Sequence, residues 1–196
     1  MLEAVLKEFT AYRWFEVVAV ALAVAYIVLA AIPSIWCWSA GILSSLIFAI
    51  VLGNVQLYLD SVLNLFYVVM GIVGWVRWHK KDTAGPIKSK GWKFHLTVLG
   101  GGALLTLLAG MASEKFGNAL PYWDAFTTVF SVITTFMLIQ KVVENWLYWM
   151  VIDAVAAYVY YLKGLPFTMV LFVAYFFLAF VAWWRWNQQM KLAPQV

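Results

Sequence analysis

One aromatic signature occurs twice in this chain. The run Gly74-Trp75-Val76-Arg77-Trp78 returns as Ala182-Trp183-Trp184-Arg185-Trp186, an offset of 108 residues (186 minus 78). Matches of Val, Leu and Ala carry little weight in an apolar chain, whereas matches of Trp, Tyr and Arg carry much more. The pattern therefore predicts an internal duplication. The same shift lays 38–78 on 146–186 without a gap, with the matches Trp38/Trp146, Tyr67/Tyr175 and Arg77/Arg185.

Composition places this duplicated chain in lipid. Hydrophobic residues make up 65% of the sequence and charged residues only 11%, whereas a soluble domain carries about a quarter charged residues. A duplicated membrane protein is typical of transporters whose substrate site lies between the halves. The net charge of +4 does not indicate a nucleic-acid partner, because the basic residues cluster in one loop. The single cysteine, Cys37, excludes a disulfide framework and a cysteine-based metal site.

Seven apolar segments are separated by polar residues, glycine or proline. The first lacks the small-residue cleavage site of a signal peptide, so we expect it to stay as a span. Several are shorter than the about 20 residues that cross a bilayer, so we expect flanking aromatic residues to extend them into the interface. The predicted spans are Phe15–Ile32, Trp36–Gly53, Tyr58–Trp78, Trp92–Met111, Ala125–Ile139, Trp146–Leu162 and Phe167–Trp186.

The duplication and the span count together predict an all-α integral membrane protein with seven transmembrane helices. The first three-helix repeat is 1–78 and the second is 123–196, with the basic loop, a linker helix and an outer loop in 79–122. A three-helix unit ends on the side opposite to its start, so a parallel second copy needs one extra crossing. The fourth span supplies it. The arrangement is 3+1+3, with a pseudo-twofold axis along the membrane normal.

Lysine and arginine predict the orientation. The hydrophilic loop after the third span is expected in the cytoplasm, because cytoplasmic loops carry an excess of basic residues. Counting spans from this loop places the N-terminus outside and the C-terminus inside. The loop and its flanks contain Arg77, Lys80, Lys81, Lys88, Lys90 and Lys93.

Polar and aromatic residues form stripes on the sixth and seventh spans, at spacings that share one helix face. Both stripes lie in the cytoplasmic halves of their helices, so we expect them to face each other. Aromatic faces stack on a flat ring and attract a cation, while carboxamides bind amides or hydroxyls. The stripes therefore predict a pocket for an aromatic, partly polar small molecule. They consist of Asn145, Tyr148, Trp149 and Asp153 on span six and Trp183, Trp186 and Asn187 on span seven.

A purely structural role is the alternative to a role in the pocket for these residues. Tryptophan near a helix end is often an interfacial belt residue, and buried Asn or Asp often joins helices by hydrogen bonds. Asp153 must face the bundle interior, either as a proton site or as a structural carboxylate partnered by Tyr158 or Tyr160. Proton coupling through Glu144 is a further alternative. Asp60, Asn64 and Tyr67 on span three have two equally favoured roles, lining the pocket and joining helices. An interfacial belt or lipid-facing role is favoured for Trp36, Trp92, Trp123 and Trp184.

No set of residues in the sequence indicates an enzyme. There is no Ser/His/Asp set and no glycine-rich phosphate loop before a helix, so a self-powered ATPase is not expected. His79 and His95 flank the basic loop without a second ligand at metal spacing, and we expect neither a metal nor another cofactor. Four residues are candidates for close helix approach or bending, namely Gly71, Gly74, Gly164 and Pro166.

Several motifs resemble the PnuC nicotinamide riboside transporters over nearly the whole chain. One is Val143-Glu144-Asn145-Trp146-Leu147-Tyr148-Trp149, followed by Asp153 and Tyr161-Leu162-Lys163-Gly164-Leu165. The others are Phe66-Tyr67-Val68-Val69-Met70-Gly71-Ile72-Val73-Gly74-Trp75 with Trp78, and the closing pair Trp183 and Trp186. The family has the 3+1+3 arrangement of full-length SWEET sugar transporters, in agreement with the duplication.

The resemblance implies a homotrimeric vitamin transporter of the bacterial inner membrane. It implies facilitated diffusion of unphosphorylated nicotinamide riboside by alternating access, with trapping by a cytoplasmic kinase. It also implies a substrate pocket that uses Gln56 in addition to the stripes on spans six and seven. Gln56 is expected near the outer end of span two, away from the other pocket residues.

Two rival interpretations are open. One is a transporter of another cationic or aromatic vitamin, such as thiamine, on the same fold. The other is a membrane scaffold protein that transports nothing and whose aromatic residues form only belts. The lysines of the basic loop have two candidate partners, anionic lipid and a kinase, and lipid is favoured because clustered lysines next to a membrane bind acidic headgroups.

Overall fold

The computed structural model describes residues 2–54, 58–80, 85–117, 119–164 and 166–192. Within these ranges the fold is all-helical, apart from an isolated β-bridge between Lys88 and Val142. The seven predicted helices are confirmed in number and order. They are α1 (Leu2–Ala31), α2 (Trp36–Asn54), α3 (Tyr58–His79), α4 (Trp92–Lys115), α5 (Pro121–Ile139), α6 (Asn145–Leu162) and α7 (Pro166–Leu192).

The helices are longer than the apolar segments that predicted them. Helix α1 begins at Leu2, well before Phe15, and α7 continues to Leu192. Helix α5 starts at Pro121 rather than Ala125 because proline at the first position of a helix costs no hydrogen bond. Pro166 likewise begins α7 and does not bend it. Apolar periodicity marks the part of a helix that faces lipid, whereas backbone hydrogen bonding continues into the polar flanks.

Five helical segments among the described residues are long and apolar enough to cross a membrane: Trp36–Asn54, Ser61–His79, Trp92–Lys115, Pro121–Ile139 and Thr168–Leu192. Helix α1 contributes a shorter apolar stretch, Val17–Ala31. Helix α6 is not one of these five segments, and it contains two buried polar residues, Asn145 and Asp153. The lipid-facing role predicted for four tryptophans agrees with their exposure, since Trp36, Trp92, Trp123 and Trp184 all have exposed side chains.

The chain divides into two compact units, Met1–Thr83 with α1 to α3 and Ala84–Val196 with α4 to α7. In the first unit α2 packs against both α1 and α3. The Ser44 hydroxyl donates to the Ala19 carbonyl at 2.8 Å, and Ser61 donates to Ala49 at 2.7 Å. Such bonds to backbone carbonyls satisfy the hydroxyls within an apolar surrounding and draw neighbouring helices together.

Helices α2 and α3 pack closely in the first unit. Trp38 packs edge-on against Trp78, with ring centroids 5.2 Å apart and an interplanar angle of 85°. Gly74 lies under the same indole, and a Cβ placed on it would come within 2.5 Å of the Trp38 ring. The expectation of close approach at Gly74 is met there because only glycine leaves room for the ring.

The second unit repeats this contact with the matching residues. Helix α5 packs between α4 and α6, and α6 packs against α7. Trp146 of α6 and Trp186 of α7 meet edge-on at 5.6 Å and 84°. Ala182, the counterpart of Gly74, is fully buried, so this unit accommodates one more methyl group. The two units thus share one inter-helix contact in addition to the sequence signature.

Gly74→Ala should destabilise the protein by about 1 to 3 kcal/mol, because the new methyl group would overlap the Trp38 ring in a packed core. Thermal unfolding of the purified protein in detergent measures the loss. Gly101→Ala is the matched control, since a Cβ there meets nothing within 4 Å. We expect it to be neutral or stabilising by about 1 kcal/mol, as for a helical glycine replaced by alanine. Equal stability of the two variants would contradict the packing role of Gly74.

Candidate functional site

Asn145 begins α6 and is fully buried, whereas Asn187, the other described pocket residue with a carboxamide, is half-buried. Its Nδ2 donates to the Val142 carbonyl at 2.7 Å, a bond that holds the side chain back over the preceding turn. Its Oδ1 has no hydrogen-bond partner among the described residues, and neither has the neighbouring Trp146 Nε1. The start of α6 therefore offers one buried acceptor and one buried donor on adjacent residues.

Trp186 and Trp183 lie one helical turn apart on α7 but in different surroundings. Trp186 is completely buried by its edge-on contact with Trp146, so its ring is part of the packing between α6 and α7. Trp183 is only half-buried and its ring lies 6.1 Å from that of Phe180. Of these two tryptophans, Trp183 is the one that keeps ring surface available to a ligand.

Asn187 lies one turn beyond Trp183 and is half-buried. Its Nδ2 donates to the Trp183 carbonyl at 2.9 Å. This bond within α7 orients the carboxamide and leaves Oδ1 and the second amide hydrogen for another partner. Trp183 and Asn187 therefore present an aromatic face and an amide in a fixed register along one helix.

Tyr148 of α6 contacts α4 and α5. Its hydroxyl lies 3.0 Å from Nδ1 of His95 on α4. Its ring stacks on the His95 ring at 5.8 Å and on the Phe130 ring of α5 at 6.4 Å. The residues of the predicted stripe on α6 therefore have different neighbours. Asn145 precedes Trp146, which packs against α7, whereas Tyr148 joins a second cluster at the starts of α4 and α6. Trp149 is half-buried.

Glu144 precedes α6 and joins it to the segment that leads into α4. Its carboxylate accepts a hydrogen bond from the Ser89 hydroxyl and from the Lys90 backbone amide, the latter at 3.2 Å. His95 Nε2 lies 3.9 Å from the same carboxylate. The side chain therefore has a defined structural task, which the sequence did not distinguish from a role in proton coupling.

Residues 85–90 lie against the turn between α5 and α6 and are hydrogen-bonded to it. The Lys88 amide donates to the Lys141 carbonyl at 3.0 Å, and the Val143 amide donates to the Lys88 carbonyl at 2.9 Å. The Lys141 ammonium donates to the Gly85 carbonyl at 3.2 Å. Partial burial in this turn lowers the pKa of the Lys141 ammonium. This part of the basic loop is thus an ordered strap across unit two.

The other predicted polar residues lie elsewhere. Asp153 is buried, with Tyr175 of α7 as an electrostatic neighbour. Of the two partners proposed for it, Tyr158 is exposed and packs against Trp123, and Tyr160 stacks on Phe172. In the first unit Asn64 and Tyr67 are half-buried on α3. The predictions for Gln56 and for the Asp60 side chain fall outside the described residues.

Sequence reasoning missed His95, Ser89 and Phe130 as members of the Tyr148 cluster. In the sequence His95 is only one of two histidines beside the basic loop. The sequence separation between His95 and Tyr148 gives no signal of their contact, which arises from the packing of α4 and α6 on α5. Among the described residues no group of three or more His, Cys, Asp or Glu side chains is arranged to hold a metal ion.

Comparison with known proteins gives consistent matches. The chain matches the family model described as nicotinamide mononucleotide transporter over residues 13–188. It is 25% identical over 198 residues to the nicotinamide riboside transporter PnuC of Escherichia coli (strain K12), covering 86% of this chain and 82% of that protein. Identity to the Neisseria mucosa protein of the same name is 26% over 161 residues, covering 78% and 61%.

A solved structure shows the same fold. The crystal structure of the vitamin B3 transporter PnuC superimposes with a TM-score of 0.76 at 23% sequence identity. The superposition covers 97% of this chain and 87% of that one.

Replacing Glu144 by alanine should loosen the strap formed by 85–90, because the Lys90 amide and the Ser89 hydroxyl lose their acceptor. Loss of a bond of about 1 kcal/mol corresponds to exchange about five- to tenfold faster at the Lys90 amide. Hydrogen–deuterium exchange of peptides covering 88–91 measures it. The Val143 amide, which donates to Lys88, should stay protected. Glu114→Ala is the control, since that carboxylate accepts from Tyr122 on other elements. Unchanged exchange in the Glu144 variant would show that the carboxylate does not hold the strap.

Proposed function

The chain belongs to the PnuC family, the nicotinamide mononucleotide transporter family, and on that premise we propose that it carries nicotinamide riboside across a membrane. Both relatives described above are named nicotinamide riboside transporters. Family membership and the five apolar helices make the chain a multi-pass membrane protein. The proposed process is facilitated diffusion.

The buried acceptor of Asn145 is the observation that carries the substrate assignment. A buried polar atom without a partner costs about 1 to 3 kcal/mol, so a ligand that donates to Oδ1 recovers that cost on binding. The nicotinamide carboxamide carries two N–H donors and the ribose carries hydroxyl donors. The Trp146 indole N–H on the next residue is a second unpaired group, which a carbonyl or hydroxyl oxygen of the ligand would satisfy. A neutral aromatic hydrocarbon would satisfy neither atom.

Trp183 and Asn187 complete the proposed site. Nicotinamide riboside carries a positive charge on its pyridinium ring, and the face of tryptophan attracts a cation within about 6 Å of its centroid. Trp183 is the half-buried indole that can offer this face, and the Asn187 Oδ1 is free to accept from a ribose hydroxyl. In the same proposal Tyr148 and Trp149 line the site, Trp186 holds α6 and α7 together behind it, and Gln56 contacts the ribose or an outer gate.

Transport by alternating access is proposed from the duplicated architecture. The matched contacts Trp38–Trp78 and Trp146–Trp186 support a three-helix repeat that occurs twice. The proposed 3+1+3 arrangement adds α4 as the linker helix, whose extra crossing is what parallel repeats would need. Rocking of the repeats would open the site to each side in turn. Asp60, Asn64, Tyr67 and Asp153 are then candidates for gating.

Cellular context follows the same premise. We place the protein as a homotrimer in the bacterial inner membrane, with the basic strap and the C-terminus in the cytoplasm because basic residues concentrate there. A cytoplasmic kinase that phosphorylates nicotinamide riboside would trap the product, since a charged phosphate does not return through an aromatic pocket. Net uptake then needs no ion gradient.

Trp183→Ala and Asn187→Ala should each weaken nicotinamide riboside binding at least about tenfold, since each removes a contact worth more than about 1 kcal/mol. Isothermal titration calorimetry of the purified protein measures the affinity. Trp184→Ala is the matched control, because this neighbouring indole is exposed and should leave binding unchanged. Normal binding by both site variants would refute the pocket assignment.

The same preparation separates the rival substrates and mechanisms. Thiamine and riboflavin, titrated alongside, should bind far more weakly than nicotinamide riboside. Saturable uptake into liposomes, equal with and without a pH gradient, supports facilitated diffusion. Uptake that requires the gradient and is lost in Asp153→Asn would instead establish proton coupling. A protein with neither binding nor saturable uptake would be a scaffold.

Asn145→Leu should separate binding from stability. The variant keeps the branching and the heavy-atom count of the side chain with bulkier methyl groups, and it removes the unpaired Oδ1 together with the bond to Val142. Loss of the unpaired atom offsets part of the cost of the lost bond and the added bulk, so the free energy of unfolding of the ligand-free protein should change by no more than about 2 kcal/mol. The stabilisation produced by saturating nicotinamide riboside should disappear. Thermal unfolding with and without ligand measures both. A variant that loses fold stability but keeps the ligand-induced shift would make Asn145 structural only.

A further inference from the structure

His95 lies where the strap, α4 and α6 meet. It lies in the first turns of α4, which begins at Trp92 directly after the strap. Its side chain is mostly buried, with 20% exposed. One ring nitrogen faces Tyr148 and the other faces Glu144.

The contact with Tyr148 is both polar and aromatic. His95 Nδ1 and the Tyr148 hydroxyl are 3.0 Å apart, and the two rings stack at an angle of 26°. Phe130 stacks on the Tyr148 ring at 18°. The two aromatic neighbours set the plane of the phenol, and His95 sets the direction of its hydroxyl bond. A tyrosine held in this way loses little rotational freedom when a ligand binds it.

Glu144 decides which ring nitrogen carries the proton. Nε2 of His95 is buried, has no hydrogen-bond partner among the described residues and lies 3.9 Å from the carboxylate. A carboxylate at this position favours a proton on Nε2, which leaves Nδ1 as the acceptor. The Tyr148 hydroxyl then donates a hydrogen bond to Nδ1, and its oxygen can accept a hydrogen bond from a donor on the substrate. Ser89 and Lys90 in turn hold the Glu144 carboxylate in place.

We propose that His95 is a positioning residue for substrate binding, which fixes the Tyr148 hydroxyl as a hydrogen-bond acceptor toward the nucleoside. The chain of contacts runs from the strap through Glu144 and His95 to Tyr148. This inference rests on the proposed function, because it takes Tyr148 to be a substrate contact. The chemistry that such an acceptor recognises is an O–H or N–H donor, as on a ribose or a carboxamide.

Paired amide substitutions test the proposal without a large change in size or polarity. Asparagine places its amide near the position of Nδ1, whereas glutamine places its amide near Nε2. With the full-length protein titrated with nicotinamide riboside, His95→Asn should bind within about threefold of the unsubstituted protein. His95→Gln and His95→Phe should bind about tenfold more weakly, as for the loss of one hydrogen bond. Thr97→Ala, an exposed position on the same helix, is the control and should bind normally.

A double-variant cycle distinguishes positioning from simple packing. Tyr148→Phe should weaken binding about as much as His95→Phe, and combining the two should cause no further loss, because both changes remove the same oriented hydroxyl. Additive losses would overturn the proposal, as would equal binding by His95→Asn, His95→Gln and the unsubstituted protein. If the unsubstituted protein itself does not bind nicotinamide riboside, the proposed function fails and this inference fails with it. Normal binding by the His95 variants leaves the proposed function intact and removes only the role of His95.

Discussion

The edge-on contact between two tryptophans on neighbouring helices is the interaction on which each unit depends. In lipid no hydrophobic force drives helices together, so association relies on close packing and on a few polar bonds. The Trp38–Trp78 pair joins α2 to α3 and the Trp146–Trp186 pair joins α6 to α7 at nearly the same distance and angle. Each contact buries a large aromatic surface where the helices meet. It also fixes the register of nearby residues, namely Asn145, which directly precedes Trp146, and Trp183, one turn before Trp186.

Several polar side chains of this protein have defined hydrogen-bond partners, and a few buried ones do not. Ser44 and Ser61 bond to backbone carbonyls, and Glu144 accepts bonds from the strap. Six buried polar side-chain atoms have no hydrogen-bond partner among the described residues, and two of them, Asn145 Oδ1 and Trp146 Nε1, lie on adjacent residues. Unpaired atoms of this kind lower stability, and this adjacent pair is where we propose that the ligand supplies hydrogen bonds. Stability and binding thus make opposite demands on one residue.

The strap connects a basic loop to the interior of the second unit. Its backbone bonds to the turn between α5 and α6, and its side chains lead through Glu144 and His95 to Tyr148. Lys88 of the strap is exposed, whereas Lys141 is partly buried and donates to the Gly85 carbonyl.

The sequence by itself determined the class of protein, the number and order of helices, the duplication and the family. Each of these follows from local or one-dimensional properties, namely hydropathy over about 20 residues and a signature repeated at fixed offset. Residue type also marked Asn145, Trp183 and Asn187 as candidates, because polar and aromatic side chains at helical spacing are costly in lipid without a reason. Helix ends were misplaced at Phe15 and Ala125, since apolarity reports the lipid-facing part and not the hydrogen-bonded length.

Only the tertiary structure decided which of these residues meet. It separated Tyr148 from the α6–α7 contact and joined it to His95 and Phe130, and it buried Trp186 while leaving Trp183 partly open. It also showed that the Glu144 carboxylate accepts hydrogen bonds from the strap. The physical reason is that helical spacing defines a face but not the neighbour which that face meets. The neighbour depends on how α4 and α6 pack around α5, a set of contacts between residues far apart in the chain.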